Sequence, residues 1–153
     1  MSRRIDDLIP SLRLLCRAHL AACAEAGLSV LVTYTLRTLA EQEALYAQGR
    51  QSCLRVNALR TAAGLPPITE AQNRRPVTWT MSSKHLPGPD GLSRAYDIAI
   101  RDGSGVTWDL KADGNQNQHP DYQEAAEIGR KLGLECGYYW RQPDPCHYQM
   151  DLV

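Results

Sequence analysis

The fold is decided by the stretch Arg94-Ala-Tyr-Asp-Ile-Ala-Ile100, in which, from Ala95 onward, large apolar side chains alternate with small or charged ones. Such a period of two is typical of a β-strand. Tyr96, Ile98 and Ile100 share one face, which is expected to enter the hydrophobic core. Asp97 lies on the opposite face, between two alanines. Aspartate is a poor strand former, and burying its charge is unfavourable unless a positive group pairs with it. The pattern therefore predicts either that this face contacts water or that the carboxylate has a partner.

The residues before this strand carry two helical patterns separated by a further strand. Apolar residues recur at steps of three and four over residues 5–23, and Gly27 is a natural end for this helix. Pro10 lies inside the pattern, so the helix either bends or begins there. Residues 28–35 are rich in β-branched side chains and predict a buried strand. Thr38-Leu-Ala-Glu41 is a capping box that opens the second helix.

The segment over residues 50–76 has only weak periodicity. It carries several arginines, and Pro66-Pro67 lies in its middle. Such a segment is too long to be a bare loop in a compact domain. We expect a short helix over 54–63 and then an extended return, either as a flexible, flap-like insertion or as a solvated surface excursion. Residues 77–80 are expected to form a strand.

The second half of the chain predicts a hairpin over 101–117, a third helix over 120–133, and two short strands over 134–140 and 146–150. Helices and strands do not alternate regularly along the chain. We therefore expect a single α+β domain, in which a small, mainly antiparallel sheet packs with three main helices.

Composition narrows the functional class. The chain has 153 residues, of which 43% are hydrophobic and 22% charged, as in one globular domain. The net charge is zero, which argues against nucleic-acid binding. The longest stretch without Asp, Glu, Lys or Arg, residues 26–36, is far shorter than the roughly 20 residues of a membrane span. Residues 1–7 lack an apolar run, so no secretory signal is expected.

Two histidines occupy positions that suit chemistry. His85 and His147 each lie at a boundary between a loop and a strand, where ligands and catalytic groups are common. With Asp97 they are a sufficient protein set for a catalytic zinc ion. Asp144 lies three residues before His147, in a turn stiffened by prolines, and is placed to act as a general base. Unrelated polar surface residues are the alternative.

The other candidate residues have simpler explanations. His19 falls on the apolar face of the first helix and is expected to be a packing residue, whereas His119 is expected at the surface or at a helix start. The five cysteines include no Cys-x-x-Cys pair, which disfavours a four-sulfur zinc site. Whether Cys136 pairs with Cys146 is left open.

Several motifs in the same order resemble the M15 zinc peptidases. They are Ser83-x-His85, Ala95-x-Asp97, Asp144-x-x-His147-Tyr-Gln, an upstream stretch from Tyr34 to Arg50, and Gly133-Leu-Glu-Cys-Gly137 followed by Trp140. The resemblance covers residues 30–149. Departures from the family pattern are a longer connection over 86–94, Cys136 in place of a tryptophan, and Tyr138 in place of a second glycine.

The resemblance implies a set of roles. One zinc ion per chain would be bound by His85, Asp97 and His147, and Asp144 would be the catalytic base. Arg37 would contact the substrate or the developing oxyanion. Three further residues would bind substrate or support the site: Ser83, Gln42 and Trp140.

The resemblance also implies a function. We expect a zinc-dependent peptidoglycan peptidase that cleaves stem peptides, most simply an L-alanyl-D-glutamate endopeptidase endolysin of phage or prophage origin. Residues 1–153 would form one catalytic domain of a monomer, without a separate wall-binding domain. The protein would be made in the host cytoplasm and reach the periplasm through a holin-type pore. The alternatives are a D-Ala-D-Ala carboxypeptidase or dipeptidase, and a non-catalytic zinc-binding module.

Overall fold

The sheet is built around the strand that contains Asp97. The computed structural model describes residues 1–150, so the last three residues of the predicted domain lie outside the described part. The strands in this part are β1 (Ser29–Tyr34), β2 (Ala95–Asp102), β3 (Gly105–Thr107), β4 (Glu135–Cys136) and β5 (His147–Gln149). Their order is β1-β2-β5-β4, with β3 paired to β2 as a hairpin, and every pairing is antiparallel.

The register of β2 with its neighbours positions the polar residues. Asp97 lies opposite His147 of β5 and, on the other side, opposite Tyr34 of β1. Ala95 lies opposite Gln149. Because successive side chains of a strand alternate between faces, Asp97, His147 and Gln149 project from the same face of the sheet.

The helices are α1 (Pro10–Glu25), α2 (Leu39–Ala47), α3 (Cys53–Ala62), α4 (Glu70–Asn73) and α5 (Asp121–Lys131). Pro10 is the first residue of α1, so the helix begins at the proline, and a separate 3₁₀ turn covers Ile5–Asp7. Both hydrogen bonds of the predicted capping box form at the start of α2. The helix predicted over 54–63 is α3, and α4 was not predicted.

The hydrophobic core lies between the sheet, α1 and α5. Tyr96, Ile98 and Ile100 are completely buried in it, as their spacing predicts. Ala95 and Ala99, on the other face of β2, are completely buried as well. A face in contact with water, one of the two explanations for Asp97, is therefore wrong, and the carboxylate needs a partner.

Two predicted strands differ from the structure. Residues 77–80 form no strand, because Gln42 of α2 binds Thr78 and Thr80 through its side chain at 3.2 and 2.8 Å and holds this stretch against the helix. The strand predicted over 134–140 is reduced to Glu135–Cys136, and a 3₁₀ turn over Gly137–Tyr139 follows it.

The segment over residues 50–76 folds back onto α2. The Gln48 side chain donates to the carbonyl oxygens of Gln72 and Arg75, both at 3.1 Å. Asn73, which is buried, donates to the carbonyl of Gln51 and accepts from the amide of Gly49. The segment thus forms one wall of the cleft described below.

No helix in residues 1–150 is long and apolar enough to cross a membrane. All five cysteines are free thiols, Cys136 and Cys146 among them.

Candidate metal centre

Three of the predicted residues meet at one point of the sheet. The Nε2 atom of His85 lies 3.1 Å from Oδ1 of Asp97 and 3.3 Å from Nδ1 of His147. Nδ1 of His147 lies 3.1 Å from the same oxygen of Asp97. Both imidazoles are more than nine-tenths buried, and within residues 1–150 this is the one group of His, Cys, Asp and Glu with such spacing. The structure thus places His85, Asp97 and His147 side by side, and these are the three residues that the sequence analysis groups together.

In both histidines, the ring nitrogen that faces away from the group, the outer nitrogen, is hydrogen-bonded to another residue. Nδ1 of His85 lies 2.6 Å from the carbonyl oxygen of Thr35, which can only accept, so this nitrogen carries the proton. Nε2 of His147 lies 2.9 Å from Oε1 of Gln149. The amide of Gln149 is oriented by its own donation to Glu135 at 3.0 Å, so Nε2 of His147 is also a donor. Each neutral ring therefore turns a lone pair inward.

The inner atoms of the group are three acceptors without a donor among them. Two imidazole lone pairs and a carboxylate oxygen at 3.1–3.3 Å repel one another unless a cation or a proton lies between them. Histidines that bind metals commonly donate their outer N–H in this way. The residues present thus fit a metal ion.

The charges of the group support one another. Burial by itself would raise the pKa of Asp97. When protons on the inner nitrogens take the place of a cation, the charge and hydrogen bonds of His85 and His147 outweigh burial and hold this pKa well below its usual range. Burial would lower the pKa of His147, but its hydrogen bond and attraction to Asp97 raise it instead. An anionic Asp97 is the form a cation needs.

Arg37 lies beside the group and is bound to it. Its Nη2 donates to Oδ2 of Asp97 at 3.0 Å, and its Nη1 donates to Gln42 at 3.3 Å. Its backbone N–H donates to the carbonyl of His85 at 2.9 Å. Its Nε atom is buried and has no hydrogen-bond partner among residues 1–150. Arg37 therefore supplies the positive partner that Asp97 requires, and Gln42 braces Arg37 from α2.

Asp144 lies at the rim of the same cleft, in contact with solvent. Partial desolvation and then the negative charge of Asp97 raise the pKa of its carboxyl, which His147 lowers in part. Its backbone is fixed, because its amide donates to Gly137 at 2.8 Å and its carbonyl accepts from His147 at 3.1 Å. A carboxylate whose pKa is raised holds a proton more readily than an ordinary aspartate, as a group that exchanges protons beside a candidate metal site requires.

The cleft has a volume of about 1130 Å³ and joins the site to the segment over residues 50–76. Ser83 and Trp140 line it near the site. The Ser83 hydroxyl accepts from the amide of His85 at 3.2 Å, and the Trp140 ring centre lies 5.1 Å from that of His147. Gln42 is completely buried, so its contacts make it a supporting residue.

Three residues of the site received no role from the sequence. Thr35 acts through its backbone carbonyl, which no side-chain pattern reveals. Gln149 follows His147 by two residues, and the period of a strand would have placed it on the same face. Arg60 of α3 lines the far end of the cleft, and its helical position alone does not indicate this.

The fold and the site together define an α+β protein whose sheet carries a candidate metal centre in an open cleft. A scan against models of protein families finds no match. Over 146 residues, the chain is 32% identical to the peptidoglycan L-alanyl-D-glutamate endopeptidase CwlK of Bacillus subtilis (strain 168), with 95% of this chain and 74% of CwlK covered.

A solved structure extends this likeness to the fold. The crystal structure of the L-Ala D-Glu endopeptidase ChiX from Serratia marcescens matches with a TM-score of 0.58 at 18% identity, covering 96% of this chain and 83% of ChiX. The sequence likeness to CwlK shows that the chain belongs to the M15 peptidase family.

Proposed function

We propose that this protein is a zinc-dependent peptidoglycan peptidase that hydrolyses the L-alanyl-D-glutamate bond of stem peptides. The observation that carries the proposal is the group of three inward-facing acceptors in an open cleft, in a chain 32% identical to an enzyme that bears this name. Phage or prophage origin, a monomeric state and a single catalytic domain complete the proposal.

The donor set suits zinc in particular. Two imidazoles and one carboxylate are a common protein set for catalytic zinc, and two ligands about 2.05 Å from a tetrahedral ion lie about 3.3 Å apart. The three separations here are 3.1, 3.1 and 3.3 Å. His85, Asp97 and His147 would hold the ion, which supplies a Lewis acid that polarises a carbonyl group and acidifies water.

Asp144 is the proposed general base. Its carboxylate would take the proton of the water that attacks the peptide carbonyl, and it would then return this proton to the leaving amine. Its raised pKa makes it a better proton acceptor than an ordinary aspartate. The bonds of its backbone to Gly137 and His147 fix its approach to the cleft.

Arg37 is proposed to stabilise the negative charge that develops on the carbonyl oxygen. Its guanidinium lines the cleft beside Asp97, so its positive charge lies next to the candidate metal centre. A fixed positive charge acts strongly in such a partly buried place. Its bond to Asp97 also makes it a positioning residue for that carboxylate.

The charge of the cleft fits an acidic peptide. Among the described residues that line it are four cationic side chains, Arg37, Arg60, Arg75 and Lys84, and only two carboxylates, Asp97 and Asp144. Both carboxylates belong to the catalytic end. A stem peptide carries free carboxylates next to the bond to be cleaved, so the remaining wall is complementary to it.

Two measurements test the proposal. Digestion of defined muropeptides, followed by mass spectrometry, should yield fragments separated between L-Ala and D-Glu. Release of D-Ala would identify the carboxypeptidase instead. Metal analysis should give one zinc per chain, and a zinc-loaded protein without turnover on any muropeptide would favour the non-catalytic module.

Variants separate the roles within the site. Asp144→Ala should keep zinc and lose at least a hundredfold in kcat, whereas His85→Ala should lose both zinc and turnover. His119→Ala, which removes an exposed histidine, is the control and should change neither. The base assignment fails if Asp144→Ala turns over at the rate of the unmodified protein.

A further inference from the structure

A second group of oxygen-bearing side chains lies away from the cleft, in the segment that leads into α5. Counted from Asp113 as position one, Asn115, Asn117, Asp121 and Glu124 fall at positions three, five, nine and twelve. This is the spacing of the twelve-residue calcium-binding loop of EF-hands, in which a helix also follows the loop. Here α5 begins at Asp121.

The pattern departs from the EF-hand loop at position six. The usual glycine provides a backbone with positive φ, and Gln118 takes its place here. Gln118 nevertheless has a φ of 68°, and Gln116 has a φ of 58°. They are the two non-glycine residues with positive φ in the described part of the chain. The backbone thus adopts the conformation that the glycine would provide.

The loop winds around the first carboxylate. Oδ1 of Asp113 accepts from the amide of Asn117 at 3.0 Å, and Oδ2 accepts from the amide of Gln118 at 2.8 Å. Glu124 reaches back from the first turn of α5, where its Oε2 accepts from the side-chain amides of Asn115 and Asn117 at 3.1 and 2.8 Å. The ends of the loop are therefore drawn together around polar side chains.

Asp121 gives an independent indication of a missing partner. Asp121 is only 2% exposed. Its Oδ2 accepts from the amide of Gly114 at 2.9 Å, but its buried Oδ1 has no hydrogen-bond partner in the described part of the chain. Desolvation raises the pKa of this carboxyl, and the charges of Asp113 and Glu124 raise it further. Within residues 1–150, no ion pair joins a lysine or arginine to any of these three carboxylates. A buried carboxylate oxygen without a partner, next to two further anions, calls for a cation.

We propose that residues 113–124 bind one calcium ion. The ligands would be side-chain oxygens of Asp113, Asn115, Asn117 and Glu124 and the backbone carbonyl of His119, with Asp121 contributing directly or through water. All the donors are oxygen, which suits calcium rather than zinc. The amide groups of the two asparagines would turn their oxygens inward, a rotation that needs no backbone change.

The position of the loop suggests what the ion does. Asn115 donates to the carbonyl of Ala26 at the end of α1, at 2.9 Å. In α5, Tyr122 accepts from the amide of Ile100 in β2 and donates to the carbonyl of Thr107 in β3. Because Asn115 would exchange its bond to Ala26 for the ion, a bound ion would fasten the start of α5 to the β2–β3 hairpin through Tyr122, and so stabilise the core.

Calorimetric titration of CaCl₂ into the purified chain of residues 1–153 tests the proposal. We expect one site, with a Kd of about 10⁻⁵ to 10⁻³ M, the range from sensors to extracellular modules. At a hundredfold excess over Kd, Tm should rise by about 10 °C. MgCl₂ at the same concentration should give a much smaller effect.

Two matched variants locate the ion. Glu124→Gln should weaken calcium binding at least tenfold and remove the rise in Tm. Glu127→Gln lies in the same helix one turn later, outside the pattern, and should leave both unchanged. Asp113→Asn is a second test, and Tm without calcium shows that each variant is folded.

The proposal is overturned if the unmodified protein gives neither heat nor a change in Tm up to 10 mM calcium. It is also overturned if calcium binds but Glu124→Gln and Asp113→Asn bind it as tightly as the unmodified protein does. Neither result bears on peptidase activity, because no ligand of the candidate zinc centre belongs to this loop.

Discussion

Each histidine of the candidate metal centre is held by a different kind of acceptor. His85 donates to a backbone carbonyl of Thr35, whose position is fixed by β1, whereas His147 donates to the side chain of Gln149. A side-chain acceptor can be removed by mutation and a backbone carbonyl cannot. A mutation of Gln149 can therefore test whether the hydrogen bond to the outer nitrogen of His147 matters for metal binding.

Gln149→Leu removes the acceptor for Nε2 of His147 while keeping the side-chain volume similar. His147 then loses the bond that keeps its inner nitrogen free of a proton. We expect zinc affinity to fall about 10–100-fold, as is typical when such an outer partner is lost. Competition with a chromophoric chelator measures this, with Gln51→Leu, an exposed glutamine, as control. Equal zinc affinity in the two variants would show that Gln149 does not orient His147.

His19 shows how a histidine serves packing alone. It is completely buried, with Nδ1 2.8 Å from the Tyr96 hydroxyl and Nε2 2.8 Å from the carbonyl of Ala125. A carbonyl can only accept, so Nε2 carries the proton and Nδ1 accepts from Tyr96. The ring is therefore satisfied in its neutral form. Its apolar helical spacing indicated this from the sequence.

This packing makes stability depend on pH. Burial lowers the pKa of His19 below 6.5, and the bond to Ala125 opposes the shift only in part. Between the two pKa values the unfolded chain binds more protons, so the free energy of unfolding falls as pH decreases below about 6.5. Urea unfolding at pH 7.5, 6.5 and 5.5 should show a smaller pH-dependent loss in His19→Gln than in the unmodified protein. His119→Gln, at the surface, should keep the full slope; a full slope in His19→Gln would contradict the assignment.

At the scale of elements, the 3₁₀ turn Gly137–Tyr139 controls where Asp144 lies. A Cβ on Gly137 would collide with the carbonyl oxygen of Asp144 and lie 3.1 Å from its Cβ. Two segments of backbone therefore approach as closely as they do only because residue 137 has no side chain. The position of the proposed base depends on this contact.

Gly137→Ala should displace Asp144 and leave the metal ligands in place. We expect kcat to fall by roughly 10–100-fold, since a shift of about 1 Å in a catalytic group can cost a hundredfold, while zinc content stays at one per chain. Gly103→Ala is the matched control, because a Cβ there meets nothing within 4 Å. If Gly137→Ala lost zinc as well as activity, the turn would support the metal centre rather than the base alone.

The elements themselves differ in how far the sequence could predict them. The core face of β2, the start of α1 at Pro10 and the capping box of α2 follow from local rules, and the structure confirms them. The prediction of a strand over residues 77–80 was wrong, although Val, Thr and Trp favour strands. The deciding factor was Gln42, a distant side chain that binds this stretch to α2. Strand propensity depends on the residues of the stretch itself, so it does not include a hydrogen bond from a side chain 36–38 residues away.

At the scale of the whole molecule, the cleft joins two parts of the chain with different tasks. The sheet supplies Asp97 and His147 of the candidate metal centre, and the loop before β2 supplies His85. The segment over residues 50–76 supplies the opposite wall with Arg60 and Arg75. The meeting of His85, Asp97 and His147 could be anticipated from motifs in order. The wall could not, because its shape depends on tertiary bonds such as those of Asn57 with the backbone of Ile68.

Arg60 is the most informative residue of this wall. Only 9% of it is exposed, its Nε donates to the carbonyl of Pro66 at 2.6 Å, and no carboxylate in residues 1–150 pairs with it. Desolvation lowers the pKa of its guanidinium, which Tyr34 offsets in part. A buried cation without an anion, facing a cleft, suits a carboxylate of the substrate.

Arg60→Gln should therefore raise KM about tenfold, by the loss of one charge-assisted hydrogen bond, and leave kcat nearly unchanged. The effect should be specific to charge: on a stem peptide whose D-Glu carboxylate is amidated, the two proteins should have similar KM values. Arg55→Gln removes an exposed arginine of the same helix and should match the unmodified protein on both substrates. If Arg60→Gln raises KM equally for the acidic and the amidated peptide, Arg60 maintains the shape of the wall and does not bind the substrate carboxylate. Arg60→Lys, which keeps the charge but changes the shape, should in that case fail to restore KM.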